Sequence, residues 1–188
     1  MFDKAKIEAA VISIIKAIGE DPEREGLVGT PKRIAEMCAE LFMGLGKDPR
    51  EELVVGFEEG HREMVIVKDI PFYSMCEHHL LPFYGVAHIG YIPNVDGRVV
   101  GLSKLARVVE VVASRPQLQE RMTTDIADAI FDRLKPDGVG VIIRAEHLCM
   151  IMRGIKKPGS AIVTSALRGI FRTRPETRTE FFSLIQGK

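Results

Sequence analysis

The order of helical and β-rich segments is the feature that most restricts how this chain can fold. Apolar residues recur at helical spacing over residues 7–18, and Gly19 is placed to end that helix. The pair Thr30-Pro31 predicts an N-cap followed by proline at the first helical position, and residues 34–45 continue the helical pattern. β-branched residues then predominate in two strands, over residues 64–70 and 84–92.

The second half of the chain returns to helices and then to strands. Residues 103–114 and 117–134 have helical spacing and are separated by Arg115-Pro116, and strands are expected over 139–150 and 161–171. A last helix is expected over 175–186. The order is two helices, a ββααββ unit and a final helix, which predicts an α+β fold. We expect an N-terminal helical region over residues 1–60 and a second domain over 61–188.

Composition excludes several functional classes. The 188 residues include 26 Lys+Arg and 26 Asp+Glu, so no overall basic field favours nucleic acid or an anionic membrane. No segment approaches the roughly 20 apolar residues of a membrane span. Three cysteines, an odd number, argue against a disulfide framework. The first residues form an amphipathic segment without the apolar core of a signal peptide, so a cytoplasmic location is expected.

Two short motifs gather metal-binding side chains. They are Cys76-Glu77-His78-His79 and His147-Leu148-Cys149. Thiolates and imidazoles are the ligands that zinc prefers, and the C-x-x-H spacing lets one turn present two of them. His147 and Cys149 fall in the strand expected over 139–150, which would place them on one face, roughly 6–7 Å apart.

The donors at these motifs allow two kinds of zinc site. Three protein ligands with water in the fourth position would form a catalytic site, leaving His78 and His147 as proton carriers. Four protein ligands, taken from Cys76, Cys149 and two of the three histidines, would form a closed structural site. Cys38 lies on the apolar side of the second helix and is expected to be an inert buried residue.

Further polar residues fit either binding or ordinary surface roles. Ser103, Lys104 and Arg107 lie on one face at a helix start, where unpaired N–H groups favour phosphate, although a solvated basic face with a normal cap has the same pattern. Arg153 follows Cys149 by four residues and is either a site cation or a surface residue. Glu120 can accept two guanine hydrogen bonds, or it can simply favour a helix N-terminus.

The motifs, in their order and spacing, closely resemble the GTP cyclohydrolase I family. The resemblance runs from about residue 20 to the end and is highly specific. The matching segments are residues 21–34, 75–80, 90–93, 101–107, 115–123, 147–154 and 177–181.

The resemblance implies a role for each candidate residue. Zinc would be held by Cys76, His79 and Cys149, with His78 and His147 as acid/base residues. The ribose and triphosphate would contact Ser103, Lys104, Arg107 and Arg153, together with Arg33. Guanine would contact Gln119 and Glu120.

The resemblance also implies an activity and an assembly. The expected reaction is zinc-dependent conversion of GTP to 7,8-dihydroneopterin triphosphate and formate, at the start of pterin and folate biosynthesis. The expected fold is the tunnelling fold, whose ββααββ units pool their sheets into a barrel, in a homodecamer of two pentamers. One alternative is a non-catalytic zinc-binding regulatory protein on the same fold. A second is a relative that reduces a nitrile on a deazaguanine with a nucleophilic cysteine.

Overall fold

The computed structural model describes residues 2–53 and 56–187, which form two compact units. The first unit ends at Met43 and the second begins at Gly44. A catalytic domain over 61–188 stays a prediction, and the compact unit that contains those residues begins earlier in the chain. Within the described residues, no helix is both long enough and apolar enough to cross a membrane.

The first unit contains two helices, α1 (Lys4–Ala17) and α2 (Thr30–Leu41). Asp3 caps α1 because its side chain accepts a hydrogen bond from the Lys6 N–H at 3.1 Å. The prediction of Thr30 as the N-cap of α2 was wrong by one residue. Its N–H already donates to the Leu27 carbonyl in the preceding turn, and Gly29 takes the cap position without a side-chain bond.

The second unit contains seven strands and five α-helices among the described residues. They are β1 (Gly56–Glu58), β2 (Val65–Cys76), β3 (Pro82–Ile92), β4 (Arg98–Val100), α3 (Leu102–Ala113), β5 (Pro116–Gln117), α4 (Gln119–Leu134), β6 (Gly138–His147), α5 (Leu148–Ile151), β7 (Ile162–Gly169), α6 (Ile170–Thr173) and α7 (Pro175–Gln186). A 3₁₀-helix at Pro49–Leu53 precedes them. This mixture of helices and strands confirms the α+β class.

The main sheet has five strands in the order β5-β2-β3-β6-β7. All pairs are antiparallel except the short parallel contact of β5 with β2, where Cys76 is opposite Gln117. β1 and β4 form a separate two-stranded pair that the sequence pattern did not predict. β2 and β6 flank β3, and both pair with it antiparallel. They therefore run in the same direction, and their C-terminal ends bring the two sequence motifs to the same end of the sheet.

Helices α3 and α4 cover one face of this sheet. The shared core is formed by alternate strand residues, such as Ile89, Tyr91 and Val141, and by apolar helix residues such as Leu105 and Ile126. This packing places the first turns of both helices on the sheet face that carries Cys76.

The other face of the sheet has a slot for the last helix. Gly90 is opposite Gly140 in the β3–β6 pairing, and a Cβ on either glycine would lie within 2.7 Å of the Phe181 ring. Phe181 and Phe171 fill this space and pack edge to face, with ring centroids 5.2 Å apart. Because these two glycines have no side chains, α7 can pack close to the sheet backbone.

Several strand boundaries differ from those expected. β7, for example, stops at Gly169 rather than at residue 171, because α6 begins at Ile170. β2 continues beyond residue 70 through Pro71, because β5 pairs with β2 only near its end and the missing N–H of proline costs no ladder bond there. β6 ends at His147, where the chain turns into α5. The prediction that Cys149 lies in a strand and on the same strand face as His147 was therefore wrong.

Candidate metal centre and nucleotide site

Cys76, His79 and Cys149 come together at the end of the sheet. One ligand atom from each lies within 4.8 Å of the other two, and Cys76 Sγ is 3.9 Å from His79 Nδ1. Cys76 is the buried last residue of β2, His79 lies on the turn that follows, and Cys149 lies on α5. Two sulfurs and one imidazole fit a zinc ion.

A tight turn brings Cys76 and His79 together. The Cys76 N–H donates to the Leu81 carbonyl at 2.9 Å, and the Leu80 N–H donates to the Cys76 carbonyl at 2.8 Å. Leu80 takes a positive φ of 50°, which closes the turn before β3 begins. The turn is held against the start of α4 and the segment before it. The Glu77 N–H donates to the Gln117 carbonyl, and Arg121 in the first turn of α4 donates two bonds of 2.7 Å to the Glu77 carboxylate.

The pKa of the Cys149 thiol is affected by its surroundings. Burial raises the pKa of the Cys149 thiol, and the neighbouring Cys76 raises it further. A bound cation would reverse this effect, because it stabilises thiolates. Within the described residues the group has three donors, one fewer than a tetrahedral zinc ion takes, and neither His78 nor His147 belongs to it.

His147 lies beside the metal-binding group and is buried, with 9% of its surface exposed. Its ring stacks on Phe83, which is opposite His147 in the β3–β6 pairing, with the centroids 4.5 Å apart and the planes 3° from parallel. Its Nε2 atom lies 2.8 Å from Gln119 Oε1. Burial lowers the pKa of His147, and the charge of Glu120 opposes that shift.

Gln119 is more enclosed than its expected role at guanine suggests. It is 2% exposed, and its Nε2 lies 3.1 Å from each of three acceptors, namely the carbonyls of Ile143 and Ile162 and the hydroxyl of Thr164. Its side chain therefore connects α4 to β6, β7 and His147. Contact with a base stays a prediction for Gln119.

The remaining residues predicted near the metal are exposed. His78 packs edge to face against His79, with ring centroids 6.2 Å apart. Glu120 is exposed at the start of α4, near enough to His147 to affect its pKa. Arg153 places Nη1 3.0 Å from His79 Nε2, so this cation lies next to the metal-binding group.

The predicted phosphate-binding residues lie in the first two turns of α3. Ser103 and Arg107 are exposed and Lys104 is half-buried. The N-cap of α3 is Gly101, and Ser103 lies inside the helix. Arg107 Nη1 lies 3.9 Å from the Glu52 carboxylate. Arg33 lies on α2 in the first unit and is exposed.

The sequence pattern did not identify several residues that support the site. Phe83, Thr123 and Thr164 contact His147 or Gln119 directly. Thr123 follows Gln119 by one helical turn, a spacing that could have suggested their contact. Thr164 is 45 residues from Gln119 and had no local signal.

Comparisons with known proteins agree with this geometry. The family model described as GTP cyclohydrolase I matches residues 7–186. Proteins named GTP cyclohydrolase 1 from Dehalococcoides mccartyi and Pelotomaculum thermopropionicum are 70% and 65% identical to this chain, each over 188 residues and 100% of both chains. That from Thermoanaerobacter pseudethanolicus is 60% identical over the same lengths.

Among solved structures, the archaeosine synthase QueF-Like in its apo form matches 56% of this chain and 93% of its own. Its sequence identity is 19% and its TM-score is 0.47, a likeness too weak to support an argument. The family assignment rests on the full-length identity to proteins named GTP cyclohydrolase 1 and on the family match over residues 7–186. This chain belongs to the GTP cyclohydrolase I family and is an enzyme of that family.

Proposed function

We propose that this GTP cyclohydrolase converts GTP to 7,8-dihydroneopterin triphosphate and formate, with zinc held by Cys76, His79 and Cys149. The observation that carries the proposal is the meeting of three zinc-type donors beside a buried histidine. When bound there, zinc supplies Lewis acidity that lowers the pKa of water from 15.7 towards roughly 7. The three-donor set supports a catalytic rather than a closed site.

His147 is the proposed acid at the guanine ring. Neutral guanine is a poor electrophile at C8, and a proton placed on N7 makes that carbon easier for water to attack. Because burial lowers the pKa of His147, a proton that it acquires is held weakly and is readily passed to N7. His78, which is exposed next to His79, is the proposed shuttle between this site and solvent.

The reaction balances with two waters consumed and one released. The first water adds at C8 and opens the five-membered ring to a formamide, and the second releases formate. The freed amine then condenses with the ribose-derived chain after an Amadori rearrangement, and this ring closure expels one water. The protein residues contribute proton transfers and orientation to these steps.

The exposed side chains are the proposed substrate contacts. The Glu120 carboxylate can accept hydrogen bonds from N1–H and the exocyclic amine of guanine, and Gln119 is proposed to lie at the same end of the base. The triphosphate is proposed to contact Ser103, Lys104, Arg107, Arg153 and Arg33. Charge-assisted bonds of this kind hold the nucleotide in position and do no chemistry.

We also propose the homodecamer of two pentamers, with tunnelling-fold sheets pooled into a barrel, and a cytoplasmic location. β7 lies at the edge of the main sheet, and its Val163 side chain is 62% exposed. Such an edge favours pairing with another strand. Sedimentation velocity of the purified protein tests the assembly, and a monomer would contradict it.

The activity is tested by incubating the zinc-loaded protein with GTP. We expect formate and, after oxidation, pterin fluorescence in equal amounts. Zinc retention without formate would favour the alternative, a zinc-binding regulatory protein. Formate without a fluorescent pterin would show that the site hydrolyses the ring without completing the rearrangement.

A further inference from the structure

A β-bulge interrupts the pairing of β2 with β3, far from the metal-binding group. The register of the pair shifts by one between Val67 and Ile70. Two residues of β2, Lys68 and Asp69, therefore face one residue of β3, His88. Asp69 takes a positive φ of 59°, a conformation that aspartate tolerates better than most side chains.

The His88 side chain closes this bulge. The Asp69 N–H donates to His88 Nδ1 at 3.1 Å. His88 is 8% exposed, so water does not readily replace this acceptor. The Asp69 carboxylate is exposed, and its Oδ1 lies 3.9 Å from the same ring nitrogen. Asp69 thus brings both a donor and an acceptor to one atom of His88.

The protonation state of His88 decides which of these two groups Nδ1 can bind. A ring nitrogen without a proton accepts a bond from the Asp69 N–H, whereas a protonated Nδ1 can only donate and would face a second donor there. The Asp69 carboxylate is then the available acceptor, and an exposed side chain can rotate to close the remaining distance. One proton can therefore exchange one bond for the other.

The charges around the ring set the direction of this exchange. Burial lowers the pKa of His88, Asp69 raises it and Lys68 lowers it. The neighbouring elements carry cations, namely the exposed Arg144 on the same face of β6 and the half-buried Arg178 of α7. The ring is therefore neutral near pH 7, and the bond from the Asp69 N–H is the stable one until the solution becomes acidic.

We propose that Asp69 and His88 form a pH-sensitive switch in β2. The neutral ring holds the bulge through the Asp69 N–H, and the charged ring donates to the Asp69 carboxylate and releases that N–H. Among the described strands, β2 pairs here with β3 alone, so the switch acts on an edge of the sheet, where bulges limit pairing with other chains. Cys76 lies at the far end of β2, roughly 20 Å along the strand, so the switch is independent of the proposed reaction.

The test follows the Asp69 amide by hydrogen exchange, resolved to single residues, in zinc-loaded enzyme at pH 7.5 and pH 5.0. After correction for the intrinsic pH dependence of exchange, its protection should fall roughly five- to tenfold in acid, which is what an ordinary hydrogen bond contributes. Other amides of β2 and β3 should keep their protection, which separates local release from global unfolding. NMR of histidine-labelled enzyme measures the pKa of His88 in the same samples.

Three variants separate the parts of the switch. His88→Asn cannot be protonated and keeps an acceptor near the position of Nδ1, so its Asp69 amide should stay protected at both pH values. Asp69→Asn keeps the N–H and tolerates the positive φ but lacks the charged acceptor, so the pKa of His88 should fall and release should need stronger acid. Asp96→Asn changes an exposed aspartate in another turn and should behave as wild type.

The outcomes decide between a local switch and an ordinary buried histidine. An Asp69 amide that stays protected in wild type while His88 takes up its proton would overturn the proposal. A His88 ring that stays neutral until all amides of both strands exchange together would overturn it as well. So would a pKa of His88 in Asp69→Asn that equals or exceeds the wild-type value. If Asp69→Asn fails to fold, Asp69→Gly also allows the positive φ and is judged by the same shift.

Discussion

The candidate site has a buried half and an exposed half that are organised differently. The buried half contains His147 and Gln119, whose polar atoms contact Thr123, Thr164 and backbone carbonyls within the same chain. The exposed half contains His78, Ser103, Arg107, Glu120 and Arg153, which face solvent and make few contacts within the described residues. Folding orients the first set, whereas ligands are needed to orient the second.

This difference matches the proposed roles of His147 in chemistry and of Glu120 and the basic residues in recognition. Two residues depart from it, because His78 is an exposed proposed proton shuttle and Gln119 a buried proposed base contact. A group that moves a proton must be held in one orientation before substrate arrives, since each misplaced ångström lowers the rate. Groups that grip a charged nucleotide gain from exposure, because they must be reachable and must release product. Substitutions in the buried half should therefore lower kcat, and substitutions in the exposed half should mainly raise KM.

The largest effect is expected from Cys149→Ala, which removes one of the three proposed zinc ligands. Two remaining donors form a weak site, so affinity should fall by more than the roughly 10–100-fold cost of losing an outer partner of a ligand. Elemental analysis should find little zinc, and turnover should be lost. Cys38→Ala is the control, and full zinc content in Cys149→Ala would remove Cys149 from the metal site.

His147→Ala tests the buried half directly. Removing a positioned acid costs typically 10²–10⁴-fold in rate, so kcat should fall by about that factor while zinc stays bound. Single-turnover release of formate measures the step. His61→Ala, which changes an exposed histidine, should behave as wild type. Loss of zinc from His147→Ala would instead indicate that His147 is a zinc ligand, which would contradict the division into two halves.

Glu120→Gln tests base recognition in the exposed half. Losing a charge-assisted hydrogen bond costs about 1.5–3 kcal/mol, which corresponds to a fall in kcat/KM for GTP of roughly tenfold to several hundredfold. The ratio of kcat/KM for GTP to kcat/KM for inosine triphosphate (ITP), which lacks the exocyclic amine, should become smaller. Glu180→Gln on α7 is the control. A GTP-to-ITP ratio equal to that of wild type would leave Glu120 as an ordinary first-turn glutamate.

Lys104→Ala should have a smaller effect, confined to binding. We expect KM for GTP to rise about tenfold, from a loss near the low end of the roughly 1.5–3 kcal/mol range, with kcat and zinc content unchanged. Increasing salt should reduce the difference from wild type, because it screens exposed charges. Lys47→Ala, which changes an exposed lysine outside the predicted site, is the control. A drop in kcat without a change in KM would contradict the division into two halves.

The smallest effect is expected from His88, a second buried histidine that lies outside the site. Its Nδ1 accepts a bond from the Asp69 N–H at 3.1 Å, and burial lowers its pKa, while Asp69 raises it and Lys68 lowers it. Because the unfolded state takes up the proton more readily, this residue removes stability as pH falls below about 6.5, the ordinary histidine pKa.

His88→Gln should therefore lose less melting temperature between pH 7.5 and pH 5.5 than wild type, with kcat unchanged at pH 7.5. Thermal unfolding of metal-loaded protein at the two pH values measures this. An equal loss in both proteins would mean that His88 does not contribute to acid sensitivity. A changed kcat would show that His88 affects the reaction although it lies outside the site.

The sequence allowed prediction of what depends on local spacing. Helix periodicity gave α3 and α7 to within one residue, and the C-x-x-H spacing correctly predicted that Cys76 and His79 come together. Cys149 was placed in a strand because no Gly, Pro, Asn or Asp interrupts residues 141–150 to end it. The turn at His147 is set by tertiary packing, which spacing does not encode.

Contacts between distant segments also could not be predicted from the sequence pattern. The Gln119 amide meets Thr164 across 45 residues, and the glutamine gave no sign that its side chain would be enclosed. The division into buried and exposed halves follows from such contacts. It could therefore be found only once α4 was placed on the sheet.

The slot formed by Gly90 and Gly140, on the sheet face opposite α3 and α4, is filled only late in synthesis. Gly90 and Gly140 leave the ribosome well before Phe181, the aromatic ring that fills the space between them and α7. Until those last residues emerge, the nascent sheet presents an open apolar groove to water. A message truncated shortly before codon 181 would thus yield a chain with every metal-binding residue present and a surface prone to aggregation.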